Sequence, residues 1–261
     1  MLRLLFTRRW LGALALAAIL SVVFYQLGWW QWHRYEAKAH RNDLLEQHYA
    51  AAPVPLDSVV PPDGLLSPAD QWTRVTLTGS YAPKAALFVR NRVVDHVVGY
   101  EVLNAFVTDE GRTITVDRGF APLSAKGAAT LPEVPSVPVG PVTVVGWLRP
   151  GEPSLGRSMP TGQVASINLS EAGRQWDVAL VPAYVIAQQE TMPDGSQPAR
   201  PAPLPAPDRD LGPHQAYAYQ WWFFILVAFW LVWFGVRHEY LTAHPELARP
   251  KKPRIWDEED E

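Results

Sequence analysis

The sequence predicts an α+β membrane protein in which two transmembrane helices flank one extracytoplasmic antiparallel β-domain, either a small barrel or a sandwich. Residues 10–28 and 214–236 are long apolar stretches, and the segment between them contains short runs rich in β-branched and aromatic residues. Eight of the twelve tryptophans lie inside or beside the two apolar stretches. Aromatic residues concentrate in this way at the ends of helices that cross a bilayer.

The first apolar stretch, Trp10–Gly28, contains no charged residue over 19 positions. At the rise of an α-helix it covers about 28 Å, close to the thickness of the hydrocarbon core. A cleaved signal peptide is the alternative, since the sequence Thr7–Leu11 resembles a twin-arginine export signal. However, the apolar run is longer than that of a signal peptide, and aromatic residues follow it where a cleavage site needs small ones. We therefore expect an uncleaved anchor.

The second apolar stretch, residues 214–236, is rich in aromatic residues and also has spanning length. A buried core helix would need a large soluble domain around it, for which the chain has no room. Basic residues in short flanking segments decide orientation. Those after the second stretch are Arg237, Arg249, Lys251, Lys252 and Arg254. We therefore expect residues 1–9 and 237–261 to be cytoplasmic and residues 29–213 to lie outside.

The segment between the spans predicts an antiparallel sheet, because its runs alternate apolar and polar residues or are rich in β-branched residues. The candidate strands are residues 72–81, 86–94, 99–108, 112–120, 141–149 and 181–188. Asp109, Glu110 and Gly111 join two of them as a three-residue hairpin loop with glycine in the left-handed position. A short helix is expected near residues 170–175. The proline-rich residues 192–210 predict a semi-rigid tether.

Composition and motifs exclude several classes of function. A net charge of −3 and the absence of a basic cluster outside the tail give no surface for nucleic acid. The chain has no cysteine, which excludes disulfides, thiolate metal sites and covalently attached haem of the Cys-x-x-Cys-His type. His33, Glu36 and His40 would share one helical face, but their spacing matches no familiar metal site. Since no catalytic motif occurs either, we expect no enzyme activity. The acidic residues 257–261 predict a solvated tail.

Arg118 lies in an Asp-Arg-Gly sequence at the end of a predicted strand. Its guanidinium could bind a carboxylate, such as a haem propionate or an acidic group of a partner. Alternatively, it forms an ion pair that fixes the turn, and Gly119 supplies the backbone freedom. The residues favour this structural alternative.

One histidine stands at the start of the second span. Pro213 suits the first position of a helix, which places His214 in the first turn. His214, Tyr217 and Trp221 are three or four residues apart and therefore lie along one stripe. The positive end of the helix dipole favours a neutral imidazole, the form that ligates a metal. The residues leave two interpretations open: an axial ligand for haem entering from the bilayer, or an interfacial histidine of the aromatic belt.

Five short motifs together resemble the Surfeit locus protein family of cytochrome c oxidase assembly factors. They are Leu27-Gly28-x-Trp30-Gln31-x-x-Arg34-x-x-x-Lys38, Gly99-Tyr100-x-Val102, Val116-Asp117-Arg118-Gly119-Phe120-Ala121-Pro122, Gly146-x-x-Arg149 and His214-x-x-Tyr217-x-x-x-Trp221. They occur in the family's order between about residues 10 and 238, with both spans in the expected places. Three residues depart from the family pattern: Asp117 stands where asparagine is frequent, Ala121 where valine is common, and His33 where histidine is not part of the motif.

The resemblance implies a non-enzymatic membrane protein that assists the insertion or protection of haem a in cytochrome c oxidase subunit I. Its implied partners are subunit I, haem A synthase and membrane lipid. It further implies that His214 is the axial ligand of the haem iron and that Tyr217 and Trp221 form the wall of the site. His33 is a candidate second axial ligand if the two helices pair. A cofactor-free membrane scaffold that binds subunit I is the alternative function.

The start of the chain bears on localisation. Met1 leads almost directly into the first apolar stretch, with no Arg- and Ser-rich import presequence between them. We therefore expect the protein in a bacterial plasma membrane and not in a mitochondrial one.

Overall fold

Within residues 1–62, 64–127 and 130–247, the computed structural model contains four α-helices and eight β-strands. The helices are α1 (Leu2–Leu5), α2 (Arg8–His48), α3 (Leu169–Trp176) and α4 (His214–Ala243). The strands are β1 (Val54–Pro55), β2 (Arg74–Tyr81), β3 (Leu87–Val94), β4 (Val97–Thr108), β5 (Thr113–Pro122), β6 (Val142–Arg149), β7 (Gln163–Val164) and β8 (Tyr184–Thr191). The predicted acidic tail and the basic residues from Arg249 onward lie outside the described residues.

The chain divides into two units, one comprising Met1–His40 with Arg209–Glu261 and the other comprising Arg41–Asp208. Helices α2 and α4 are both long and apolar enough to cross a membrane. Only 11% of the most apolar window of each helix is buried. A core helix of a soluble domain would be mostly buried, so the low value supports the predicted pair of spans.

Helix α2 continues for 20 residues beyond Gly28, where the predicted span ends. Residues 29–48 contain neither glycine nor proline, so no residue interrupts the helix. It stops at His48, a few residues before Pro53, whose ring disfavours helical backbone in the residue that precedes it. The 41 residues of α2 extend over about 60 Å, twice the thickness of the hydrocarbon core.

Helices α2 and α4 pack antiparallel. At one end Gln31 of α2 contacts His214 of α4, and at the other end Arg9 lies 3.3 Å from Glu239. The indole nitrogen of Trp10 also donates to Glu239 at 3.0 Å.

Two tryptophans lie directly on glycines of the facing helix. A Cβ added to Gly28 of α2 would overlap the indole of Trp222, and one added to Gly235 of α4 would overlap the ring of Trp10. Glycine at these positions lets each indole approach the opposite backbone closely. These two contacts, called the Trp–Gly contacts below, fasten the helix pair near both of its ends.

The β-domain is a closed barrel. Strands β2, β6, β8, β5 and β4 follow one another, and β4 also pairs with β2 to close the ring. The barrel confirms the predicted fold class, and each of the six predicted strands corresponds to an observed one. Strands β1 and β7, of two residues each, were not predicted because they are too short to show periodicity.

Most neighbouring strands are antiparallel, as predicted, but three pairs are parallel: β1 with β2, β3 with β7, and β5 with β8. The chain between β5 and β8 contains β6, β7 and α3. This connection is long enough to bring the chain back to the end of the sheet at which β5 starts, so β8 can run parallel to β5. The hairpin between β4 and β5 has the predicted form, with Gly111 at φ +81°. Helix α3 begins at an Asn168 cap and confirms the predicted short helix.

Arg118 of β5 is 1% exposed and forms a two-point ion pair with Glu190 of β8. Its Nε donates to Oε1 at 2.8 Å and its Nη2 donates to Oε2 at 3.0 Å. The hydroxyl of Tyr81 donates to the same carboxylate at 2.9 Å. The structure therefore confirms the structural interpretation of Arg118, with Glu190 as the partner, and leaves no face of the guanidinium for a ligand.

The proline-rich segment 192–210 is bound to the barrel at several points. The backbone of Ala202 pairs with that of Phe120 in both directions, at 2.7 and 3.0 Å. Arg200 donates to the carbonyls of Ala187 and Gln188. Gly119 has φ +132°, and a Cβ there would overlap the carbonyl of Ala202. This part of the predicted tether is therefore docked on the β-domain.

A second cluster of charges lies beside the barrel wall. Arg92 Nε is 2.8 Å from Oε2 of Glu101, and its Nη2 is 2.6 Å from Oε2 of Glu152. Burial raises the pKa of Glu101 to about 7; Arg92 opposes this shift and Glu152 adds to it. Burial also raises the pKa of Asp117 well above its usual range, and the neighbouring Glu101 adds to the effect. The surroundings of Glu101 and Asp117 thus favour the protonated form of these two carboxyl groups in the folded state.

We expect the substitution Glu101→Gln to reduce the pH dependence of stability. The pKa rises from 4.5 when unfolded to about 7 when folded, so the stability that this proton contributes is complete below pH 4.5 and is lost by about pH 7. At 1.36 kcal/mol per pKa unit, the wild type should lose about 3 kcal/mol more than the variant over that range. Chemical unfolding of the full chain in detergent, followed by circular dichroism, measures both slopes. Equal slopes in the two proteins would contradict the prediction, and Glu133→Gln on the exposed surface is the matched control.

Candidate functional site

His214 is the first residue of α4, and Pro213 is the N-cap. The sequence placed Pro213 one position later, inside the first turn. In both positions the N–H that proline lacks would have no partner within the helix, so no hydrogen bond is lost. His214 therefore lies in the first turn, as predicted.

Gln31 of α2 orients the imidazole of His214. The Nδ1 atom of His214 lies 2.8 Å from Oε1 of Gln31. In the neutral imidazole, with the amide oxygen as acceptor, Nδ1 carries the hydrogen and Nε2 keeps a lone pair. Nε2 forms no hydrogen bond to any residue that the structure describes. A histidine whose second ring nitrogen is fixed by an acceptor is the usual arrangement of a metal ligand in a protein.

Lys38 of α2 stands close to the free nitrogen. Its Nζ donates to the backbone carbonyl of Asp210 at 3.1 Å. A Cβ at Gly212 would lie 3.3 Å from Lys38 Nζ and 3.6 Å from His214 Nε2, so the ammonium group and the imidazole are neighbours across this glycine. Gly212 adopts φ +65°, a conformation that glycine tolerates best. The site therefore combines a cation with an available nitrogen lone pair.

Aromatic rings lie about two turns further along α4 from His214. Trp221 stacks on Phe24 of α2, with ring centres 5.7 Å apart and planes at 27°. Trp222, which was not predicted, covers Gly28 and contacts Trp29 at 5.8 Å. Its Nε1 is buried and has no acceptor among the described residues.

Of the three predicted site residues, two lie against α2 and one does not. His214 contacts Gln31 and Trp221 contacts Phe24. Tyr217 is 46% exposed and makes no ring contact within the described part of the chain. Helical spacing explains the difference, because Tyr217 lies at the margin of the face that carries the other two residues.

The structure does not place His33 beside His214. Gln31 faces α4, and His33, two residues further on, points about 200° away around the helix. It is exposed, and its ring lies 5.4 Å from that of Trp29. This corrects the expectation of a second axial ligand at His33. Among the described residues, moreover, no group of three or more His, Asp or Glu side chains could hold a metal ion.

The sequence did not assign roles to Gln31, Lys38 and Gly212. Gln31 and Lys38 are seven residues apart and so share one face of α2, which was a detectable signal. Their position opposite His214, however, follows from the pairing of two helices that are far apart in the chain.

Comparisons with known proteins identify the family of the chain. The family model described as the SURF1 family matches residues 18–226, a range that contains Gln31, Lys38 and His214. Uncharacterized SURF1-like proteins of Mycobacterium bovis and of two strains of Mycobacterium tuberculosis are each 33% identical over 225 residues. The alignments cover 84% of this chain and 80% of each relative. The chain therefore belongs to the SURF1 family, a family of cytochrome oxidase assembly factors.

Proposed function

We propose that the protein binds haem a through His214 and assists the insertion or protection of this haem in cytochrome c oxidase subunit I. The observation that carries the proposal is the oriented imidazole, whose Nδ1 is held by Gln31 and whose Nε2 is free of hydrogen bonds to described residues. We further propose that the protein acts in a bacterial plasma membrane with both termini cytoplasmic, close to haem A synthase and in contact with membrane lipid.

The residues around His214 suit the parts of a haem. Nε2 of His214 would hold the haem iron through its lone pair. The ammonium group of Lys38 offers a charge-assisted hydrogen bond to a propionate. Trp221 presents a flat apolar surface further along the same helix. Tyr217 is exposed, and it lies one turn after His214, at the margin of the same helical face. Each contribution comes from α2, α4 or the segment just before α4.

We expect the substitution His214→Ala to remove bound haem. Detergent-purified wild-type protein from cells that make haem A should show a Soret band. His214→Ala should abolish haem binding, because His214 is the only candidate ligand for the iron at this site in the described part of the chain. The variant should lack that band while its circular dichroism stays unchanged. His33→Ala, on the opposite side of α2, is the matched control and should keep its haem. Equal haem content in wild type and His214→Ala would remove the site assignment.

A cofactor-free scaffold for subunit I is the second candidate. Gln31, Lys38, Gly212 and His214 all lie outside the unit Arg41–Asp208. This folded unit is therefore available to bind subunit I, which favours the second candidate. In the scaffold case, subunit I should co-purify with the protein regardless of His214→Ala and of haem supply. Deleting the gene in its host and recording the haem a spectrum of isolated membranes tests the assembly role itself. A normal spectrum with normal oxidase activity would contradict both candidates.

A further inference from the structure

An apolar groove runs along the helix pair between the two Trp–Gly contacts. Its volume is about 470 Å³, and it extends from Trp10 at one end to Phe24 and Phe224 at the other. Ala13, Ala17 and Ala228 line its floor, and their methyl groups are too small to fill the space between the helices. We call this space the interhelical groove.

The interhelical groove begins next to Trp221, the proposed wall of the His214 site. Phe24, which lines the groove, also stacks on Trp221, with ring centres 5.7 Å apart. At 1.5 Å per residue, Phe224 lies about 15 Å along α4 from His214, and the groove continues toward Val232 for about another 12 Å. Lys38 lies in the other direction, about 10 Å beyond Gln31 along α2. A cation, an imidazole and an apolar groove therefore follow one another along the helix axes.

This order matches the polarity of one class of ligand. Haem a carries two propionates on one edge and an isoprenoid tail elsewhere on the ring, whereas haem b has no such tail. We infer that the isoprenoid tail of haem a occupies the interhelical groove while Lys38 binds a propionate, so that the helix pair selects haems with a tail. The inference rests on the proposed ligation by His214 and adds the part of the ligand that is recognised.

The expected selectivity is moderate. Lipid and detergent chains are as apolar as the groove, so the tail gains little from leaving them. What it gains is close packing against the walls at a fixed distance from the iron. We therefore expect an affinity difference of about tenfold, which corresponds to about 1.4 kcal/mol.

The test compares three haems on the full chain in detergent micelles: haem a, haem o, which has the tail but no formyl group, and haem b. Dissociation constants are read from the Soret band. We expect haem a and haem o to bind about tenfold more tightly than haem b. Ala228→Phe, which fills the groove from a half-buried position, should remove this preference and leave haem b binding within about twofold. Leu226→Phe, at a position 66% exposed on the other side of α4, is the matched control and should keep the preference.

The outcomes separate the two claims. If haem a binds through His214 but haem o and haem b bind equally, or if Ala228→Phe leaves the preference intact, the groove does not hold the tail and the proposed function stands. A loss of co-purified lipid in Ala228→Phe without a change in haem preference would assign the groove to an acyl chain and overturn the inference. If no haem binds in a His214-dependent manner, the proposed function fails and the inference fails with it. Lys38→Gln should weaken all three haems alike, and an effect on haem a alone would contradict the role of Lys38.

Discussion

Replacing Glu190 with alanine is expected to destabilise the β-domain by about 3 to 5 kcal/mol, the range found when one partner of a buried ion pair is removed. Arg118 and Glu190 have side chains that are 1% and 0% exposed. The variant would therefore leave a guanidinium buried without its counter-charge, and the hydroxyl of Tyr81 would lose its acceptor. The measurement is chemical unfolding of the full chain in detergent, followed by circular dichroism of the strand signal.

Two further variants separate the loss of a buried ion pair from the loss of a charge. Glu133→Ala removes a partner from the exposed pair with Lys126, whose side chains are 91% and 73% exposed, and should change stability by no more than about 1 kcal/mol. The double variant Arg118→Met with Glu190→Leu replaces both charges by apolar groups and should recover much of the stability. A loss below about 1 kcal/mol in Glu190→Ala would mean that the pair is not a structural element of the barrel.

Replacing Gly28 with leucine is expected to separate the helix pair at the end that carries His214. Any side chain at this position would overlap the indole of Trp222, and such overpacking typically costs about 1 to 3 kcal/mol. The pair holds the hydrogen bond between Gln31 and His214, so haem binding should weaken together with pairing.

The distance between the helices can be read with spin labels. The chain has no cysteine of its own, so the exposed residues Gln26 and Gln220 can be changed to cysteine and labelled specifically. The label-to-label distance distribution should be narrow in the parent protein and broader and longer in Gly28→Leu. Gly12→Leu on the same helix, where an added Cβ meets nothing within 4 Å, should leave it unchanged. Identical distributions in all three proteins would contradict the role of the glycine.

Local patterns in the sequence were sufficient for most of the fold. Alternation along residues 74–81 predicts a strand with one buried face, and the structure shows that pattern of burial. The hairpin at Gly111 follows from turn chemistry alone. The parallel pairing of β5 with β8 could not be found in this way, because it depends on how a long connection returns across the sheet. Strand β7 has only two residues and carries no periodic signal.

The candidate site was less accessible to sequence reasoning. His214 could be predicted because its place before an apolar stretch fixes its position in a helix. The hydrogen bond that orients its ring is made with Gln31, which is 183 residues away in the sequence. A contact between residues so far apart cannot be found from a local sequence pattern. Tyr217 shows the limit of the helical stripe: the stripe groups it with His214, but the packing of α2 against α4 leaves it exposed, and its place in the wall of the site stays a prediction.

The wide separation of Gln31 and His214 has a consequence for biogenesis. During synthesis the ribosome must release the entire β-domain before the second membrane segment is made, so the two halves of the candidate site exist together only after α4 has been made. A nascent chain that contains only α2 and the barrel lacks His214, so it could not bind haem through the proposed ligand. Under the proposed function, haem binding would therefore be restricted to molecules whose translation and membrane insertion are complete.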